Sequence, residues 1–168
     1  MASPNMAKLK AMVHYIVASI PAEQLGMTKL NKILWFTDRE AFLKLGQTIS
    51  GDTYIRRPKG PVSASLDEAL QSLVAEKSLV INEREGEPKH LFQSLVPPSK
   101  TSLAQHEFEL IDTQVNRIRP LSADEASELS HDYTWQMYEN DEEIDMVTVL
   151  ARPGIVTNEM LEWARSVS

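Results

Sequence analysis

TKLNKILWFTDREAFLKLGQTISGDTYIRRPKGPVSAS, residues 28–65, changes character once, at Gly46. Before that glycine, Leu30, Ile33, Leu34, Ala41 and Leu45 recur at threes and fours, the spacing of one helix face, which predicts a helix from Lys29 to about Leu45. Thr28 is the expected N-cap, since its hydroxyl can accept from a first-turn amide that lacks a helical partner. Gly46 stands where a left-handed C-cap is expected. Trp35 and Phe42 share a second side of the helix and Phe36 flanks the aliphatic stripe, so burial nearly all round is expected. Lys29 and Lys32 fall near the positive end of the helix dipole, a mismatch of a few tenths of a kcal/mol that suits a surface position. Beyond Gly46, the residues Gly51, Pro58, Gly60 and Pro61 leave room only for a short extended piece around Thr53 to Arg57.

The flanks extend the pattern. Upstream, Met6, Leu9, Met12, Val13, Ile16, Val17 and Ile20 form one helical stripe that Pro21 ends. Downstream, a helix is expected from Ser63 or Ser65, with Asp67 and Glu68 in its first turn and Leu66, Leu70, Leu73 and Val74 on its face. LVINE and HLFQSLV around REGEPK read as a β-hairpin. A further helix spans about Ser102 to Arg117, closed by Pro120, and Ser122 with Glu125 forms a capping box for the next. VTVLA reads as extended, Pro153-Gly154 as a turn, and Thr157 as the cap of a last helix through Trp163. The sum is a mainly α chain, one compact helical domain over 1–168 with a small winged-helix-like β-hairpin.

Composition narrows the chemistry. The chain has 168 residues, 42% hydrophobic and 24% charged, which is ordinary globular usage and enough length for a core without staples. It has no cysteine, which excludes disulfides and thiolate chemistry and fits the cytoplasm. The net charge of -7 divides into +5 over residues 1–62 and -12 over 63–168, so nucleic acid is a disfavoured partner overall. No apolar run reaches the roughly 20 residues of a membrane helix, and the N-terminal stretch, broken by His14, Tyr15 and Ser19, lacks the apolar centre of a signal peptide.

No constellation of catalytic residues emerges. The six glycines form neither a dinucleotide fingerprint nor a phosphate-binding loop, and Pro61 removes an amide from the Lys59-Gly60-Pro61 turn. The histidines, His14, His90, His106 and His131, have no metal-binding spacing, and the acidic run Asp141, Glu142, Glu143 and Asp145 lacks the alternation of a calcium loop. No nucleophile elbow is present. No cofactor and no enzymatic activity are therefore expected. The helix after the basic triplet Arg56, Arg57 and Lys59 carries Asp67, Glu68 and Glu76 against Lys77, a poor recognition helix for a polyanion.

Three pieces in this order, TKLNKILWFTDRE, LGQTISGDTYIRRPKGPVSASLDEAL and LSADEASELSHDYTW, resemble the Panacea-domain antitoxins, a bacterial and phage group that includes SocA-like and GepA-like proteins. The matching positions are Thr28, Lys29 and Leu30 opening an aromatic helix that ends near Asp38. Gly51 and Tyr54 follow, then the Gly60, Pro61 and Val62 turn, and His131 with Trp135. Lys59 departs from the pattern, in which an aromatic commonly precedes Gly-Pro-Val. The resemblance covers about residues 6–136 and leaves 137–168 as a C-terminal extension. It implies an antitoxin that neutralises a cognate protein toxin by direct binding and, in some relatives, hands it to a protease; the alternative is a winged-helix-like DNA-binding regulator. Partner contacts are expected at Trp35, Asp38, Tyr54, Arg56, Arg57 and Lys59, with His131 and Trp135 assigned to packing.

Overall fold

The computed structural model describes residues 3–151 and 158–167. Its first helix, α1 (Met6–Ser19), begins where the Asn5 side-chain Oδ1 accepts from the Lys8 amide at 3.1 Å, and it buries Leu9, Met12, Val13, Ile16 and Val17. After a short 3-10 turn comes α2 (Gly26–Leu45), whose residues from Lys29 to Asp38 are all buried. Burial all round is as the aromatic spacing required. The helix starts earlier than Thr28, however, with Leu25 at the cap position and no side-chain cap, so the expected Thr28 cap is not formed. Gly26 makes that earlier entry: its φ of +69° turns the chain, and a Cβ there would lie 2.5 Å from Pro88. At the other end Gly46, with φ +75°, donates its amide to the Phe42 carbonyl at 2.9 Å, the expected left-handed cap.

The irregular stretch holds more order than its glycines and prolines suggest. β1 (Tyr54–Arg57) pairs antiparallel with β2 (Gly60–Ser63), in the register Tyr54 with Ser63 and Arg56 with Pro61. On its other side β1 takes up β5 (Glu143–Ile144), completing a three-stranded sheet in the order β2-β1-β5. Pro61 is tolerated because β2 is an edge strand and the proline nitrogen faces away from β1, where no ladder bond is required. α3 (Leu66–Ala75) then packs Leu66, Ala69, Leu70 and Leu73 inward, and β3 (Leu79–Glu83) pairs with β4 (His90–Ser94) as the expected hairpin.

α4 (Gln105–Ile118) lies along α2 and buries Leu110, Ile111, Val115 and Ile118. α5 (Ala123–Leu129) carries the expected capping box: Ser122 Oγ accepts from the Glu125 amide at 3.1 Å and Glu125 accepts from the Ser122 amide at 2.7 Å. α6 (Tyr133–Gln136) follows. VTVLA is not a strand. Asp145 caps a tight 3-10 turn over Met146–Leu150 by accepting from the Val147 amide at 3.0 Å. The expected Pro153-Gly154 turn and Thr157 cap lie outside the described residues, and α7 (Asn158–Val167) ends the chain's described part. Over the described residues the protein is thus mainly α with two small antiparallel sheets, and α2 is the central post, flanked by α1, α4, α5 and β2.

Candidate functional site

Three buried polar clusters tie the β1–β2 ribbon to the helices. The first centres on Asp38, near the middle of α2 and fully buried. Its carboxylate accepts from the amides of Ile49 at 2.8 Å and Ser50 at 3.1 Å, from the Tyr54 hydroxyl at 2.7 Å, and from Ser50 Oγ. Burial pushes the Asp38 carboxyl above its usual range, against the pull of these donors, and burial beside Asp38 holds the Tyr54 phenol well above its ordinary value. One side chain thereby fixes the loop after α2 and the start of β1. The second cluster is Asp52, which accepts from Ser63 Oγ and from the Ser65 amide and hydroxyl at 3.1 and 2.8 Å, joining the entrance of β1 to the exit of β2.

The third cluster covers the outer edge of β2. Asn31 Oδ1 accepts from the Ser63 amide at 3.0 Å, and Lys32 Nζ donates to the Pro61 carbonyl at 2.7 Å. These two α2 side chains satisfy groups that an edge strand would otherwise expose. Lys32 is 1% exposed, and desolvation lowers its ammonium from 10.5 to about 7. Gly60, at φ +106°, lies against it: a Cβ there would fall 2.0 Å from Ser130 Oγ and 2.9 Å from Lys32 Nζ. A lysine and a serine meeting at one point resemble a base and nucleophile, but Ser130 is fully buried, donates to the Ser127 carbonyl at 2.7 Å, and has the Gly60 backbone packed over it.

The far side of the ribbon is braced by the segment from α5 to α6. Ser127 Oγ donates to the Lys59 carbonyl at 2.8 Å and Trp135 Nε1 donates to the Arg57 carbonyl at 2.9 Å. His131 stacks on the Trp135 ring with centroids 4.0 Å apart, and the Arg56 guanidinium lies over that ring at 3.7 Å, making a three-layer stack. What projects to solvent is the tip: Arg57, Pro58 and Lys59. Arg57 pairs with Asp141, whereas Lys59 forms no ion pair among the described residues. Between the tip and α2 lies a groove of about 380 Å³ with walls that include Met27, Val62 and Pro58.

The structure therefore divides the expected contact residues. Trp35, Asp38 and Tyr54 are interior, at 0%, 0% and 1% exposure, so they cannot meet a partner and instead hold the ribbon in place. Trp35 packs edge-on to Tyr54 at 5.1 Å. Arg56 is half-buried in its stack, and Arg57 and Lys59 are exposed. His131 and Trp135 pack as expected. Lys29 and Lys32 are not surface groups. Lys29 donates to the Arg119 carbonyl at 2.7 Å, capping the C-terminal end of α4 and offsetting its unfavourable place in its own helix. Sequence reasoning missed Asn31, Lys32, Asp52, Ser127 and Ser130. The available signal was local: polar residues inside a helix that the aromatics required to be buried all round need partners, and a Gly-Pro edge offers them.

Lys32 gives a testable pH dependence. The unfolded chain keeps this lysine protonated to about pH 10, while the folded protein releases the proton near 7. Between these values the unfolded state binds more protons, so this residue's contribution to stability rises with pH, by up to about 1.4 kcal/mol per unit. Urea unfolding of wild type and Lys32→Met at pH 7 and pH 9 should show wild type gaining on the variant at the higher pH. An unchanged difference would mean that Lys32 stays charged in the fold.

Among the described residues no helix is long and apolar enough to cross a membrane, and no group of three or more His, Cys, Asp or Glu could hold a metal ion. A family model described as antitoxin SocA-like, Panacea domain, matches residues 30–136, which hold the greater part of α2, the ribbon, α3, the hairpin and the bracing segment up to α6. No curated protein and no solved structure matches the chain.

Proposed function

Because the chain belongs to the SocA-like, Panacea-domain antitoxin family, we propose that it neutralises a cognate protein toxin in the cytoplasm by direct binding, with the tip of the β1–β2 ribbon as the contact. The observation that carries this reading is the contrast between the ribbon's base and its tip. Asp38, Asp52, Asn31, Lys32, Ser127 and Trp135 all spend their hydrogen bonds on holding the ribbon still. The side chains of Arg57, Pro58 and Lys59, whose backbone these bonds hold, are exposed. A rigid, cationic projection loses little conformational entropy on docking, which favours recognition of a partner. Handing the toxin to a protease is a further step of the same reading, and catalysis is not part of it: Lys32 and Ser130, which both approach Gly60, are buried at 1% and 0% exposure.

DNA binding is the weaker alternative. It would treat α3 and the β3–β4 hairpin as a winged-helix-like unit, yet the exposed side of α3 presents Asp67 and Glu68, which repel a polyanion.

The test is growth rescue. Products of the genes flanking this one are expressed alone and with the protein, and one of them is expected to be toxic alone and harmless with it. Arg57→Glu with Lys59→Glu should then weaken the complex by about tenfold or more and abolish rescue, with the melting temperature unchanged, because both side chains are exposed. Full rescue by the double reversal would remove the tip as the contact; harmlessness of every neighbour would remove the antitoxin reading.

A further inference from the structure

The groove beside the tip does not end at α2. Met27, which forms part of its wall, also lines a second and larger depression of about 540 Å³ between α3 and the β3–β4 hairpin, so the two meet at that side chain. The second depression is walled by Leu70 and Val74 of α3 and by Val80 and Ile81 of β3. Val74 is 41% exposed there, while Leu66, Ala69, Leu70 and Leu73 of the same helix are buried. Charged groups line both depressions, Lys32, Arg57 and Lys59 the first and Asp67, Glu83 and His90 the second. Arg57 pairs with Asp141 and His90 with Glu83, and Lys32 is buried, which leaves exposed Lys59 on one side of Met27 and exposed Asp67 on the other without an ion-pair partner among the described residues.

We propose that this trough takes an amphipathic segment of the toxin, its apolar stripe on Met27 and Val74, an acidic residue facing Lys59 and a basic residue facing Asp67. The proposal rests on the toxin-binding reading above and extends it from a point contact to an oriented groove. Charge complementarity selects the occupant. An apolar floor with unpaired opposite charges in the two depressions that meet at Met27 favours one direction of a partner chain and opposes the reverse, since the reversed segment would set like charges together in both. Apolar anchors along an open groove with polar ends are how amphipathic segments are commonly held.

The experiment uses the full chain and the toxin identified by growth rescue. Hydrogen exchange on the wild-type complex should show protection at residues 66–75 and 79–83 as well as at the tip. Val74→Arg, at an exposed position, should weaken the complex about tenfold with an unchanged melting temperature. Asp67→Lys should weaken it severalfold, and a toxin variant with the facing basic residue reversed should recover the loss. Wild-type affinity in Val74→Arg together with protection limited to the tip would overturn the groove while leaving the tip reading intact. Protection of residues 66–75 and 79–83 that appears without toxin and rises with protein concentration would assign the trough to a second copy and overturn the proposal. Failure of wild type to bind any neighbouring product would remove the antitoxin reading, and the groove with it.

Discussion

Asp38→Ala should lower stability by about 4 kcal/mol or more, the largest effect expected of any single side-chain truncation in the polar interior. The substitution removes one carboxylate and strands four donors, the Ile49 and Ser50 amides and the Ser50 and Tyr54 hydroxyls, in a region sealed from water. Each buried donor left unpaired costs on the order of 1–3 kcal/mol, and partial relaxation or water entry recovers only some of it. For a chain of this size that corresponds to a fall of roughly 10 °C in melting temperature. Tyr54→Phe is the graded companion: it deletes one donor and keeps the ring against Trp35, so it should cost about 1–2 kcal/mol. Thermal and urea unfolding of the two variants decide the matter. A loss below about 1 kcal/mol for Asp38→Ala would show that the loop after α2 is held by something other than this carboxylate.

Gly60→Ala should be nearly as damaging, by about 3–5 kcal/mol, although it adds a single methyl group. Two separate penalties add. A φ of +106° is strained for any residue with a Cβ. The new carbon would also sit 2.0 Å from Ser130 Oγ and 2.8 Å from Lys32 Cε, and both side chains are fully buried, so neither can swing away. Gly46→Ala isolates the first penalty: its φ is +75° and nothing lies within 4 Å of the added carbon, so it should cost about 1–2 kcal/mol. Gly60→Ala combined with Ser130→Gly should recover part of the loss by removing the nearest obstacle. If urea unfolding gives the two alanine variants equal costs, the close packing of the ribbon on Lys32 and Ser130 is wrong.

These two variants also separate holding from touching. Asp38 and Gly60 act on the ribbon through its foundation, so their variants should lose rescue in step with lost stability. Arg57 and Lys59 lie on the exposed tip, and their reversal should lose rescue with stability retained.

Much of the architecture was legible because it follows from periodicity. The stripe Leu9, Met12, Val13 and Ile16 defined α1, and Leu30, Ile33, Leu34 and Ala41 defined α2. Ser122 with Glu125 announced α5, and Gly46 the end of α2. The misses share a cause. β2 was hidden because Gly60 and Pro61 read locally as breakers, and only the pairing with β1, together with Asn31 and Lys32 on the opposite edge, makes a strand of them. VTVLA carries strand-forming residues, but Asp145 captures the Val147 amide and bends the chain into a turn. Trp35, Asp38 and Tyr54 were expected as contacts and are interior, because Asp38 finds its partners, the Ile49 amide and the Tyr54 hydroxyl, 11 and 16 residues along the chain.

By itself, the sequence determined helices α1 to α5, the hairpin, the lack of thiol chemistry and the family resemblance, since each depends on neighbours a few residues apart or on ordered motifs. Tertiary structure alone decided which of the marked residues are buried, that a lysine closes a strand edge, and that Arg57, Pro58 and Lys59 are what the ribbon offers to solvent. The reason is range. Helix stripes and caps are set over single turns, whereas the partners of Asp38, Lys32 and Trp135 lie 11 to 78 residues away along the chain and are selected only when the whole core closes.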